Sequence, residues 1–196
     1  MRHTPPALLL SALLLFATPG SAQKKGAAPK ASGPRALIET TLGTIEIQLL
    51  PADAPRTVEN FTGLAKKKYF DGVTFHRIAK GFVIQGGDPT GTGSGGQSVF
   101  GKPFPDEINA ASPLYKAGYK RGTVAMANPG RPHMNTSQFF ILLADAPLPP
   151  QYTIFGRVTR GMECVDAIGA VDITPVMGPK DGKPKTDVIM KRVRIR

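Results

Sequence analysis

Tryptophan is absent from this 196-residue chain, cysteine occurs once and histidine three times. A single cysteine, Cys164, cannot close an internal disulfide, so stability has to come from apolar burial. It lies in Met162-Glu163-Cys164-Val165 with neither His nor Lys beside it, the setting of a packed thiol rather than a nucleophile. Three histidines, one of them at position 3, are too few to expect a metal centre. Long apolar runs are missing too, except at residues 7–17 (ALLLSALLLFA), well short of the ~20 residues that cross a bilayer.

That run follows Met1-Arg2-His3 and leads to Pro19-Gly20-Ser21-Ala22, the order of a secretory signal with small residues at its cleavage site. Residues 1–22 are therefore read as a signal peptide, and residues 23–35, rich in Lys, Ala, Gly and Pro, as a flexible linker. Residues 36–196 then form one domain with no membrane span, exported to a periplasm or to the exterior. The net charge of +11 invites a nucleic-acid partner. The cations are dispersed, however, in Lys24-Lys25, Lys66-Lys67-Lys68 and the tail at 191–196, and aromatics do not interleave with them. A solvated basic face with no specific nucleic-acid site is the reading.

Within the domain, Ala36-Leu37-Ile38-Glu39-Thr40 and Thr44-Ile45-Glu46-Ile47-Gln48-Leu49 flank a turn at Leu42-Gly43, a hairpin pattern. Pro55 opens a helix carrying Val58, Phe61, Leu64 and Ala65 on one stripe, closed by three lysines. Short apolar runs follow at 73–75, 82–85, 123–127, 138–143, 153–158 and 188–195, with a second helix at 162–168. Residues 88–113 and 170–185 are Gly/Pro-rich and read as long loops. About eight strands separated by turn chemistry point to a closed antiparallel barrel or a sandwich.

The chemistry concentrates in two windows. One is Phe75-His76-Arg77-Ile78 with Gly81-Phe82-Val83-Ile84-Gln85-Gly86-Gly87-Asp88; the other is Met126-Ala127-Asn128 with Asn135-Thr136-Ser137-Gln138-Phe139-Phe140. They hold one permanent cation, aromatics and neutral amides, with no nucleophile–base pair. Such a set suits a reaction that moves charge without breaking bonds. Gly91-Thr92-Gly93-Ser94-Gly95-Gly96 lacks the Gly-Lys-Ser/Thr ending of a phosphate loop. Its glycines instead allow close passage beside a groove.

These windows, together with Thr57-Val58-Glu59-Asn60-Phe61 and Phe155-Gly156-Arg157-Val158 in the same order, resemble the cyclophilins, the peptidyl-prolyl cis–trans isomerases. The resemblance spans nearly the whole domain. It implies a closed eight-stranded antiparallel β-barrel capped by two α-helices, with the groove on its outer face and no cofactor. It also implies a catalytic Arg77 and substrate-binding Phe82, Val83, Gln85, Ala127, Asn128, Gln138, Phe140, Leu148 and Tyr152.

The residue types fit that reaction. Rotation about an X–Pro bond faces a barrier of ~18–20 kcal/mol because the nitrogen lone pair is delocalised into the carbonyl. In the twisted state the nitrogen becomes pyramidal and accepts a hydrogen bond. A guanidinium supplies the donor at any ordinary pH. Phe82, Val83 and Phe140 would line the proline slot, while Phe139, on the opposite face of its strand, would be core. Gln85, Asn128 and Gln138 would hold the peptide backbone, largely through main chain at Asn128; the residues alone leave strand-end hydrogen bonding as the alternative. A surface salt bridge is the alternative for Arg77. His76 is read as structural or substrate-flanking.

Residues 143–152 depart from the family pattern. Where many cyclophilins carry a tryptophan, Leu148 would form the wall, and Tyr152 takes the histidine's position, a pattern similar to bacterial members. The expected partners are proline-containing peptides and unfolded proteins, with weak cyclosporin binding by a monomer. A non-catalytic chaperone or adaptor using the same groove is the alternative.

Overall fold

The hairpin at the start of the domain sets the register for the rest. In the computed structural model, which describes Met1 and residues 33–196, β1 (Arg35–Thr40) pairs with β2 (Gly43–Leu49), Ile38 opposite Ile45 and Ala36 opposite Ile47. These four side chains are fully buried, so the alternation legible in the sequence fixes which face turns inward. Apart from Met1, the expected signal peptide lies outside the described residues, as do all but the last three residues of the linker. Arg35, given to the linker, already belongs to β1.

Helix α1 (Pro55–Lys66) has Pro at its first turn but an Ala54 cap that makes no side-chain bond. Its orphan N–H groups are met from a distance. Glu107 accepts from Arg56 N at 2.9 Å and from Thr57 N at 2.7 Å, and the Thr57 hydroxyl donates to the same carboxylate at 2.8 Å. Phe61 on its buried face stacks on Phe70 at 5.1 Å and meets Phe139 edge-on at 5.6 Å.

The remaining strands are β3 (Arg77–Ala79), β4 (Val83–Gly86), β5 (Thr123–Met126), β6 (Phe139–Leu142), β7 (Ile154–Arg160), β8 (Ile173–Gly178), β9 (Asp181–Pro184) and β10 (Met190–Ile195). Two more helices occur, a single turn α2 (Pro113–Lys116) and α3 (Met162–Ala170), the latter where a second helix was expected. Every pairing is antiparallel, and the sheet runs β10-β1-β2-β7-β5-β6-β4-β3-β9-β8.

This departs from the expected eight strands and two helices. The ladder comprises ten strands in an open order, with β8 and β9 inside the stretch read as loop. Proline and glycine hide this hairpin in the sequence; β8 tolerates Pro175 because it is an edge strand. The run at 73–75 is not a regular strand. It meets the start of β10 through Phe75 N to Val188 O at 2.9 Å, Met190 N to Val73 O at 2.8 Å and a Thr74–Ile189 bridge.

Burial separates two apolar clusters on the two faces of the sheet. One holds Phe61, Phe70, Phe75, Phe139, Ile141 and Phe155 with the faces of α1 and α3. The other gathers Val83, Tyr119, Ala125, Phe140, Leu142 and Ile154, with Phe82, Ala127, Leu148 and Tyr152 packed against it. Strand β6 divides between them residue by residue, as its period of two requires. No helix among the described residues is long and apolar enough to cross a membrane.

Candidate active site

The second cluster opens to solvent as a cleft of about 140 Å³. Arg77, Phe82, Val83, Gln85, Ala127, Asn128, Phe140, Leu148 and Tyr152 line it, nine of the ten residues singled out from the sequence. Strands β3 and β4 present Arg77 directly opposite Gln85 in register, and β6 places Phe140 next to Gln85. The tenth, Gln138, stands behind Gln85 and faces a neighbouring hollow beneath the glycine loop.

The polar members form a directed chain. Arg77 Nη1 donates to Gln85 Oε1 at 3.0 Å, and Gln85 Nε2 donates to Gln138 Oε1 at 3.0 Å. Gln138 Nε2 then donates to the carbonyls of Gly93 at 2.9 Å and Gly95 at 2.8 Å. Both amino hydrogens of Gln138 are thereby used. In this arrangement the two glutamine side chains link the arginine to the glycine loop, and Gln85 also lines the cleft. The Asn128 side chain is likewise committed, donating to Gln151 O at 3.1 Å and accepting from Gly130 N at 3.1 Å.

Asp181 is the partner the sequence reading missed. Arg77 Nε donates to Asp181 Oδ1 at 2.9 Å and Nη2 to Oδ2 at 2.6 Å, a two-pronged grip along one edge of the guanidinium. Asp181 begins β9, which pairs with β3 as Ala79–Asp181 and Ile78–Gly182, so the carboxylate is placed by backbone register. On its other side β9 lies close against β8 at Gly182, where a Cβ would come within 2.0 Å of Thr174 O. With Gln85, three of the five guanidinium N–H groups are engaged, and two remain for a ligand. The side-chain bond to Asp181 holds the Arg77 group above its ordinary range, against the opposing effect of burial. The salt bridge weighed against a catalytic role thus exists, and it orients the fork with 29% of the arginine side chain still exposed.

Below the cleft, Asp88 organises the glycine loop. Its carboxylate accepts from the backbone N–H groups of Thr90, Gly93 and Gly95 at 2.8, 2.7 and 3.1 Å. Burial alone would raise this carboxyl; the bonds from Thr90, Gly95 and Gly93 outweigh it and hold it below the usual range. Gly95 is required for the contact, because a Cβ would come within 2.2 Å of Asp88 Oδ1. His76 is held neutral by burial, which pushes its imidazole below the ordinary value despite the opposing Asp88 charge. His76 is not among the residues that line the cleft.

The far wall is set by an aromatic run. Tyr115, Tyr119, Tyr152 and Phe140 meet edge-on in succession at 6.3, 6.3 and 5.4 Å. The Tyr119 hydroxyl donates to Tyr152 O at 2.8 Å and accepts from Tyr152 N at 3.1 Å, which fixes Tyr152 where it lines the cleft. Burial raises both phenols on the hidden side, Tyr115 to about 12. A fixed cation facing an apolar, partly aromatic slot can stabilise developing charge on a bound apolar ring without transferring a proton.

Several known proteins are similar to this chain in sequence and fold. A plant relative, the peptidyl-prolyl cis-trans isomerase CYP18-2 of Arabidopsis thaliana, is 48% identical over 74% of this chain and 86% of its own. The isomerase ppi1 of Schizosaccharomyces pombe is 50% identical over 68% of this chain and 84% of its own. A cyclophilin type isomerase from Cryptosporidium parvum, crystallised in the presence of the dipeptide Ala-Pro, superposes with a TM-score of 0.74. It is 35% identical, with 83% of this chain and 98% of that one covered. These relatives are eukaryotic and lend nothing to the bacterial exported form that the loop pattern suggested. The model of the family described as "Cyclophilin type peptidyl-prolyl cis-trans isomerase/CLD" matches residues 35–195. A chain matched over that span, with relatives named as peptidyl-prolyl cis-trans isomerases, belongs to the cyclophilin-type peptidyl-prolyl cis–trans isomerase family.

Proposed function

We propose that this enzyme accelerates rotation about X–Pro bonds in unfolded or loop segments of exported proteins, with Arg77 as the hydrogen-bond donor. The convergence of Arg77 with Phe82, Val83, Phe140, Leu148 and Tyr152 on one cleft carries the reading. The proline ring sits among the apolar side chains, and the main chain near Asn128 holds the residue before it. As the imide twists, its nitrogen loses conjugation and gains basicity. A free N–H of Arg77 then bonds more strongly to the twisted form than to either planar one, which lowers the barrier. Arg77 stays charged throughout, and no proton or covalent bond is exchanged.

The same proposal includes a sheet that wraps into a closed barrel, supported by the bonds joining residues 73–75 to 188–190. It also includes a monomer that reaches its clients after export, supported by the signal-like residues 1–22. Cyclosporin would bind weakly, because Leu148 offers no indole N–H. A protease-coupled assay on a short Xaa-Pro peptide, run with and without cyclosporin, tests the reading. Accelerated cis–trans exchange supports it; binding to the peptide with no acceleration would leave only an adaptor.

A further inference from the structure

Strands β8 and β9 carry a feature that rotation at proline does not use. Pro175 pairs with Gly182 and Gly178 with Asp181, so two neighbouring residues of β9 face two residues of β8 that are three apart. Val176 and Met177 are extruded between them as a bulge, 73% and 71% exposed. Bulges re-aim side chains beside functional sites, and adjoining exposed apolar side chains, unlike single scattered ones, mark binding grooves. Both residues line a hollow of about 430 Å³ whose other wall is the loop Gly91–Ser94 and whose floor includes His76. Arg77 and Gln85 line this hollow as well as the proline cleft, so the two adjoin.

We infer that the bulge is a second subsite for the same substrate, taking an apolar side chain that flanks the proline in the peptide sequence. This rests on the isomerase reading and adds a substrate preference to it. The occupant follows from adjacency: a peptide that leaves the proline cleft past Arg77 reaches this hollow. The lining decides its chemistry. Val176 and Met177 offer apolar contact, with a flexible thioether that adapts to different shapes. Lys183 stands at the rim to tolerate a nearby carboxylate. The bulge is tied to the cleft by the grip of Asp181, the residue paired with Gly178, on Arg77.

The test is a set of proline peptides in an all-alanine background, with one leucine moved through the four positions on each side of proline. Each is assayed with the wild-type protein and with the Val176→Ser/Met177→Ser double variant. The expected result is a leucine position that raises kcat/KM about tenfold in the wild type, with that gain falling to about twofold or less in the variant. The all-alanine peptide should be isomerised equally by both proteins. A gain that survives in the variant, or no leucine position with a gain, overturns the proposal. Failure of the wild type to isomerise the all-alanine peptide would instead overturn the isomerase reading, and failure of the variant alone would overturn the proposal. Dimerisation of the wild type that the double variant loses would assign the bulge to a second copy of this chain and also overturn it.

Discussion

Arg77 works only if its fork points into the cleft, and Asp181 does the pointing. Asparagine at 181 can accept one bond where the carboxylate accepts two, so the guanidinium should lose its fixed tilt. Asp181→Asn is expected to lower kcat/KM about tenfold, the equivalent of ~1.4 kcal/mol, mostly through kcat. Asp181→Glu should recover part of the loss. In an Arg77→Ala background the Asp181→Asn change should have no further effect, since the two residues act as one unit. Steady-state kinetics on the four proteins checks this. An undiminished loss in the double variant would show that Asp181 acts elsewhere. Nothing near Asp181 in the sequence signals the role, because its turn-rich surroundings conceal the strand that sets its register. The cleft residues were legible for the opposite reason: cation, aromatics and amides recur in windows whose order is itself informative.

Charge at His76 gives a second residue-scale expectation. In the unfolded chain an imidazole binds a proton below about pH 6.5, whereas burial in the fold keeps His76 neutral to lower pH. The unfolded state therefore takes up more protons in the window beneath 6.5, and stability declines as pH falls through it. Urea midpoints should drop between about pH 7 and 5.5, and His76→Gln should flatten that slope. Isomerase activity should stay level from about pH 6 to 9, because the guanidinium does not titrate there. The lowered carboxyl of Asp88 acts in a different window, adding stability that is lost only as pH falls below the ordinary carboxylate range.

At the scale of elements, long-range caps matter more than local propensity. Helix α1 was legible from Pro55 and its apolar stripe, but its start depends on Glu107, fifty residues away in sequence from Thr57. No sequence window contains both ends of that contact. Glu107→Ala removes the acceptor for two backbone N–H groups and should cost about 1–2 kcal/mol of stability. A lower urea midpoint with little change in kcat/KM on a short peptide would agree. Loss of activity without loss of stability would place Glu107 in the site instead. Strand β6 is the contrasting case. Its alternation alone separates Phe139 in the inner cluster from Phe140 at the cleft, and the structure follows it. The β8–β9 hairpin defeats such reading, since ITPVMG and DGKP resemble turns more than strands.

For the molecule as a whole, the two clusters divide labour: the inner one supplies stability and the outer one is left partly open for a ligand. Cys164 reports on the first. It is buried, burial raises its thiol above the ordinary value, and its sulfur lies 3.5 Å from the Thr40 hydroxyl. Aromatic disulfide reagents should leave it unmodified in native buffer and react rapidly above the urea transition. Fast reaction in native buffer would mean that α3 opens well below global unfolding. The family and its mainly β architecture were legible because colinear motifs span the domain. Strand count and sheet order were not, because edge strands are held by neighbours rather than by their own composition.

The account comes down to what a guanidinium does for a twisting imide. The decisive comparison is kcat/KM of the wild type and of Arg77→Ala on one Xaa-Pro peptide, with melting temperatures recorded for both. A donor that bonds chiefly to the twisted state should be worth a loss of about a hundredfold or more, while the variant melts close to the wild type. Isomerisation within about twofold of wild type in a well-folded Arg77→Ala protein would contradict it.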